Sequence, residues 1–192
     1  MFTQLRPALV MIAMFTLLTG VAYPLAMTGM VQVAFPSAAN GSLVHRGNAV
    51  VGSELIGQAF TSERYFWPRP SSAGEKGYDA AGSSGSNLGP ISKKLIERVD
   101  GDVAVLRKAG ATTIPADAVT TSASGLDPHI SPAYATLQIA RVATARKIPE
   151  AQIRVLVEAV IERPVLGLFG EPRVNVLRLN LALDAKLPGG AG

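Results

Sequence analysis

At 192 residues, 48% hydrophobic and with a formal net charge of +4, the chain can build one domain with its own core, but it lacks the basic excess that nucleic-acid binding needs. It has no cysteine, which excludes disulfides, thiolate metal sites and cysteine nucleophiles. Its fold must therefore be stabilised by ordinary core burial.

No formally charged side chain lies between Arg6 and Arg46, and the run from Ala8 to Phe35 is dominated by Leu, Met, Val, Ala, Ile and Phe. A helix rising about 1.5 Å per residue crosses a hydrocarbon core of about 30 Å in roughly 20 residues. The run Leu9 to Met30 meets that length with a margin for tilt. Gly20, Pro24 and Gly29 are better tolerated in a membrane helix than in water, and Pro24 predicts a kink near the outer end. The competing reading is a cleaved secretory signal starting at Arg6 and cut near Ser37-Ala38-Ala39. Signal cores span only about 7–15 apolar residues, so the anchor is preferred. Arg6 and the terminal amine flank one side of the helix, and no cation closely follows the other. The positive-inside rule then places residues 1–8 in the cytoplasm, 9–33 across the membrane and 34–192 outside. Of the 18 basic residues only Arg6 precedes the outer part, leaving 17 against 14 acidic side chains, a mild balance.

After the anchor, Leu43-Val44 and Ala49-Val50-Val51 flank Arg46-Gly47-Asn48 and predict a small hairpin. Ser53 is placed to cap a short helical turn ending near Gly57. Residues 60–90 differ in kind: Tyr65-Phe66-Trp67, then Pro68-Arg69-Pro70-Ser71, then a Gly/Ser-rich stretch from Ala73 to Gly89. That composition predicts an irregular loop, and a long loop in a compact domain marks a contact surface. The aromatic cluster reads as core before interface.

From Ile91 a helical period appears, with Ile91, Leu95, Ile96, Val99, Val103 and Leu106 on one face, Pro90 in the first turn and Gly110 as the stop. Val119 to Ser122 predicts a strand. Ser131-Pro132 is a cap-then-proline start signal for a helix through Arg146. Pro149 opens another helix, whose Ile153, Leu156, Val157, Val160 and Ile161 form an apolar stripe ended by Pro164. Leu177, Leu179, Leu181 and Leu183 alternate with Arg178, Asn180 and Ala182, which favours a strand. Asn175 as the cap of a helix through Asp184 is the alternative. The fold class is thus mixed α/β, a small sheet beside helices, attached to one N-terminal transmembrane helix.

Catalytic candidates are few. Asp127-Pro128-His129 with Ser124 or Ser131 offers the residue types of a membrane-tethered hydrolase, but three residues on one loop rarely aim at one another. A turn at Asp127-Pro128 and a cap at Ser131 explain them better. Gly82 to Gly89 lacks the Gly-Lys-Ser/Thr ending of a phosphate loop, and glycine-rich turns are usually only turns. The two histidines, His45 and His129, form no metal-ligand spacing. Arg141, Arg146 and Lys147 suit the negative end of a helix dipole. No catalytic or metal site is assigned, and the default is an interaction subunit.

The partner comes from a resemblance. Gly52-Ser53-Glu54-Leu55-Ile56-Gly57-Gln58, Tyr65-Phe66 with Arg69-Pro70-Ser71, and Ser86-Asn87-Leu88-Gly89-Pro90 belong to one ordered series. It continues through Ser122 to Pro132, Gln138 with Arg141-Val142-Ala143, Gly170 to Leu177 and Leu179 to Leu183. This series resembles the C subunit of Kdp-type potassium-transporting ATPases (the KdpC family) from the anchor to the C-terminus. The resemblance implies an accessory subunit, non-catalytic and without a cofactor of its own. It would assemble in the bacterial inner membrane with an ATP-hydrolysing subunit and a potassium-channel-like subunit, at whose outer access side the domain could sit. It further implies a catalytic chaperone that raises the ATP affinity of the hydrolysing subunit, with ATP a ligand of the complex. Tyr65, Phe66, Arg69, Asn87, Asp127, His129, Gln138 and Arg141 then become candidates for the partner interface. Family proposals of nucleotide contact centre on a glutamine near the end of the penultimate helix. Here Glu162 or Arg163 occupies that region, and a carboxylate repels phosphates. Glu162 is the one nucleotide-site candidate, and an indirect effect through assembly is favoured. Gly20, Thr28 and Gly29 would let other pump helices approach the anchor closely.

Overall fold

A computed structural model of the chain describes residues 2–164 and 166–187. It divides into two compact units, Met1–Leu43 and Val44–Gly192. In the first, α1 (Leu5–Leu17) runs through a π-helical turn at Leu18–Ala22 into α2 (Tyr23–Ala34), followed by the single turn α3 (Pro36–Ala39). Leu5–Ala34 is thus 30 residues of helix with a mean hydropathy of 2.0, long and apolar enough to cross a membrane. The π turn has a local cause. Pro24 has no N–H and its ring crowds the carbonyl a turn back, so the helix widens just before it. There the Tyr23 N–H donates five residues back, to the Leu18 oxygen. Pro24 therefore follows a change of helical register.

The hairpin β1 (Leu43–Arg46) and β2 (Ala49–Ser53), turned at Gly47 with φ +62°, starts at the last residue of the first unit and leads into the second. After a long irregular segment come α4 (Lys93–Lys108), β3 (His129–Ile130), α5 (Pro132–Arg146), α6 (Glu150–Ala159), β4 (Val174–Asn175) and α7 (Val176–Lys186). Antiparallel β3 and β4 pair His129 with Asn175 and Ile130 with Val174. The architecture is helices with two small two-stranded sheets, a mixed α/β class. Its core gathers Phe66, Ile130, Ile139, Val142, Ile153, Val157, Val174, Leu179 and Leu183, supplied mainly by α5, α6 and α7 with the short sheet between them.

Helix α5 begins as its sequence predicts: Ser131 Oγ accepts the Tyr134 N–H at 3.0 Å and Pro132 fills the first turn. It ends with Lys147 in the left-handed region and Ile148 N–H closing on the Ala143 carbonyl. Four expectations are corrected. The leucine-rich segment is the helix Val176–Lys186 rather than a strand, because Asn175 Oδ1 caps the Arg178 N–H at 3.1 Å and burial follows Val176, Leu177, Leu179, Asn180 and Leu183, a helical face. Val119–Ser122 is no strand; a 3₁₀ turn at Ala116–Ala118 leads into irregular chain there, and the Thr120 and Thr121 carbonyls serve Arg69 instead. Helix α4 starts at Lys93, so Pro90 lies outside it and Ile91 is exposed rather than on its inner face. Helix α6 ends at Ala159, five residues before Pro164. Ser53 does accept the Leu55 N–H, but the following residues form only a turn.

Candidate functional site

The segment after Phe60 is held as an extended strap by side chains rather than by a sheet. Asn180 on α7 accepts the Phe66 N–H at 2.8 Å and donates to the Phe66 carbonyl at 3.0 Å. Gln138 on α5 repeats this one residue on, accepting from Trp67 N–H at 2.7 Å and donating to its carbonyl at 3.1 Å. Each amide, with one acceptor and a donor side by side, substitutes for the backbone of a neighbouring strand. Phe66 thereby enters the core at 0% exposure. Tyr65 and Trp67 flank it, each half-buried, and both lie against guanidinium groups. The Arg141 guanidinium carbon stands 3.7 Å from the Trp67 ring centroid, and that of Arg146 5.0 Å from Tyr65. Burial lowers the Arg141 pKa from its ordinary value, against the opposing pull of Glu63.

Arg146 is no dipole ornament. It is 2% exposed, pairs with Asp184 at 2.7 Å and donates to the carbonyls of Arg64 and Leu187. Asp184 also accepts from the Tyr65 hydroxyl at 3.1 Å and pairs with Arg46. Burial raises the Asp184 pKa, but these hydrogen bonds outweigh it and hold the carboxyl below its ordinary range.

A second polar centre lies where Arg69, Asp127, His129 and Glu162 meet. Arg69 pairs with Asp127 at 2.9 Å, and Asp127 Oδ1 accepts the His129 N–H at 2.9 Å. The two nitrogens of the His129 ring stand 3.5 Å from Asp127 and 3.7 Å from Glu162. Burial pushes the Asp127 pKa up; the His129 hydrogen bonds and the Arg69 charge more than reverse it, so the net shift is downward. Glu162 also pairs with Arg173 at 3.0 Å and Arg178 at 3.5 Å. Arg178 in turn binds Glu54, whose hydrogen bond raises the guanidinium pKa. Beside this centre, Arg69, Asp117, Asp127, His129 and Arg173 line an open pocket of about 440 Å³.

The irregular stretch 71–86 packs onto the segment after Val119. Ser71 Oγ donates to the Gly125 carbonyl at 2.6 Å and accepts the Tyr78 N–H at 2.8 Å, and the Tyr78 hydroxyl donates to the Arg69 carbonyl. Burial drives the Tyr78 pKa well above its ordinary value and pushes that of Tyr134 up to about 12. Ser83 and Ser84 hydroxyls donate to the Ser124 and Ser72 carbonyls. Asn87 is exposed, with φ +51°.

Of the sequence candidates, Arg69, Asp127, His129 and Glu162 come together, while Tyr65, Gln138 and Arg141 hold the strap. Phe66 and Gln138, also named as partner-interface candidates, are buried within the chain, the first in the core and the second against the strap. The roles of Asn180, Asp184, Arg178 and Glu54 carry no local signal, since their partners lie far away in sequence; an asparagine inside a leucine-rich segment was the one available hint. The hydrolase reading fails on geometry. Ser131 donates to Asp117 at 2.9 Å while capping α5, Ser124 caps the Leu126 N–H, and among the described residues no hydrogen bond joins either hydroxyl to His129. Among the described residues no group of three or more His, Cys, Asp or Glu could hold a metal ion.

Comparison with known proteins decides the family. Residues 5–185 match the family model described as "K+-transporting ATPase, c chain". The chain belongs to the KdpC family. A potassium-transporting ATPase KdpC subunit from Caulobacter vibrioides is 56% identical over 190 residues, covering 98% of this chain and 96% of that protein. Those of Polaromonas naphthalenivorans (56%, covering 96% and 95%) and Rhodospirillum rubrum (54%, covering 98% of each) are similarly close. The match reaches through the apolar helix, so this family carries the helix and the following unit as one chain.

Proposed function

We propose that this chain is the membrane-tethered, non-catalytic C subunit of an ATP-driven potassium uptake complex, with its N-terminus cytoplasmic and residues 34–192 outside. The observation that carries the reading is the near full-length family match. The site chemistry agrees with it. The acidic and basic side chains of the Arg69–Asp127–His129–Glu162 centre bind one another, which suits a rigid docking surface better than a reacting one.

On this reading the partners are the ATP-hydrolysing subunit and the potassium-channel-like subunit, within the inner-membrane bilayer. The subunit raises ATP affinity indirectly, by favouring a pump conformation through assembly. Glu162 pairs with Arg173 and Arg178 and stands 3.7 Å from His129, so its carboxylate is engaged within the chain, which argues against a ribose contact. The test is a complex purified with and without this subunit. Potassium-dependent ATP hydrolysis should be lost without it, and the purified chain alone should show no heat of ATP binding. Full potassium-stimulated turnover in its absence overturns the reading.

A further inference from the structure

Residues 164–170, Pro-Val-Leu-Gly-Leu-Phe-Gly, carry no charge. Leu166, Leu168 and Phe169 are 84, 81 and 67% exposed. They project from a fixed base. The backbones of Glu162 and Arg173 exchange both hydrogen bonds, at 2.8 and 3.1 Å, and their side chains pair above that bridge. Within the projection the Gly167 N–H donates to the Pro164 carbonyl at 3.0 Å, and Gly167 and Gly170 take positive φ. A Cβ on either glycine would meet nothing within 4 Å, so the backbone there is open to its surroundings.

Exposed apolar clusters rimmed by polar residues mark surfaces that something else covers. The charges at the base, Glu162, Arg163, Glu171 and Arg173, cancel. An acidic or basic partner surface would find no complementary field there, whereas an uncharged interface finds an apolar, neutral tip. This chain also brings its own apolar phase, because Leu5–Ala34 is long and apolar enough to span a bilayer. A covalent tether turns the second contact into an intramolecular event at high effective concentration. We propose that Leu166, Leu168 and Phe169 insert into the interfacial layer of the bilayer that holds the N-terminal helix, an inference that rests on the membrane-tethered reading above. Apolar transfer drives the insertion, so it does not need anionic lipid and resists high salt.

The absence of native cysteine makes the test clean. The full chain carrying Leu168→Cys, and separately Leu166→Cys, is labelled with an environment-sensitive fluorophore and reconstituted into phosphatidylcholine vesicles, with Lys76→Cys as the exposed control. Labels at 168 and 166 should emit to the blue of the control, be quenched by nitroxides carried on the lipid, and be shielded from aqueous iodide, all unchanged in high salt. If the chain floats with the vesicles while both labels respond to iodide as the control does, the inference is overturned and the tether stands. Shielding that appears only after the other pump subunits are added also overturns it, in favour of a protein groove. A chain that fails to float overturns the membrane reading itself.

Discussion

Asn180 and Gln138 make the same pair of hydrogen bonds to neighbouring residues, yet their removal should not cost the same. Phe66 lies in the core, so Asn180→Leu would leave a buried N–H and carbonyl without partners, at about 1–3 kcal/mol for each group. Trp67 is half-buried, so its backbone groups should lose less when the Gln138 amide is removed. Denaturant unfolding of the full chain in detergent, read by the single tryptophan, should therefore show Asn180→Leu losing about 3 kcal/mol and Gln138→Ala about 1 kcal/mol. Equal losses, or the reverse order, would refute the strap as described. Asp184 provides a pH-dependent test at the same scale. Its folded pKa lies below its ordinary 3.8, so its stabilising effect is complete above that value and fades as pH falls through it and below. Asp184→Asn should be less stable than the native chain at neutral pH, because Arg146 is left buried without its counter-charge. That gap should close as the solution is acidified below pH 4. A gap independent of pH would mean the ion pair contributes little.

At the level of elements, short-range signals were legible and long-range ones were not. Ser131-Pro132 starts α5 because cap and proline act within one turn. Leu177, Leu179, Leu181 and Leu183 fit a period of two as well as a helical face once Asn180 is counted as polar and outward. Asn180 faces inward because Phe66, more than a hundred residues away, supplies its partners, and nothing local in the sequence carries that information. The Gly/Ser stretch is the same case. Its composition predicts irregular structure correctly, but its attachment is set by the tight approach of Gly125. A Cβ there would lie 2.7 Å from both the Ala73 nitrogen and the Ser84 oxygen, at φ +67°. Gly125→Ala should therefore open the 71–86 segment, and limited proteolysis should cut it far faster than in the native chain. The cap gives a matched control: Ser131→Ala should lower stability by about 1 kcal/mol without exposing that segment. If both variants are cut alike, Gly125 is not its clasp.

For the molecule as a whole, the placement of a 30-residue helix matters more than any site on the domain. If residues 34–192 lie outside, they cannot touch cytoplasmic ATP, and the effect proposed above on a hydrolysing subunit would have to pass through assembly. The orientation argument is electrostatic and small, since Arg6 is the one charged side chain preceding residue 46. Small bias makes it testable by modest changes. In intact spheroplasts a Lys76→Cys chain should react with a membrane-impermeant maleimide, because Lys76 is exposed and that side is predicted to be outside. Adding Arg6→Glu together with Ser37→Lys and Asn40→Lys moves the positive flank across the helix. The same cysteine should then be protected in spheroplasts and reactive in inverted vesicles. Labelling only in inverted vesicles before any charge is moved would place the domain with ATP, and the ion-paired Glu162 would have to be reconsidered as a nucleotide contact.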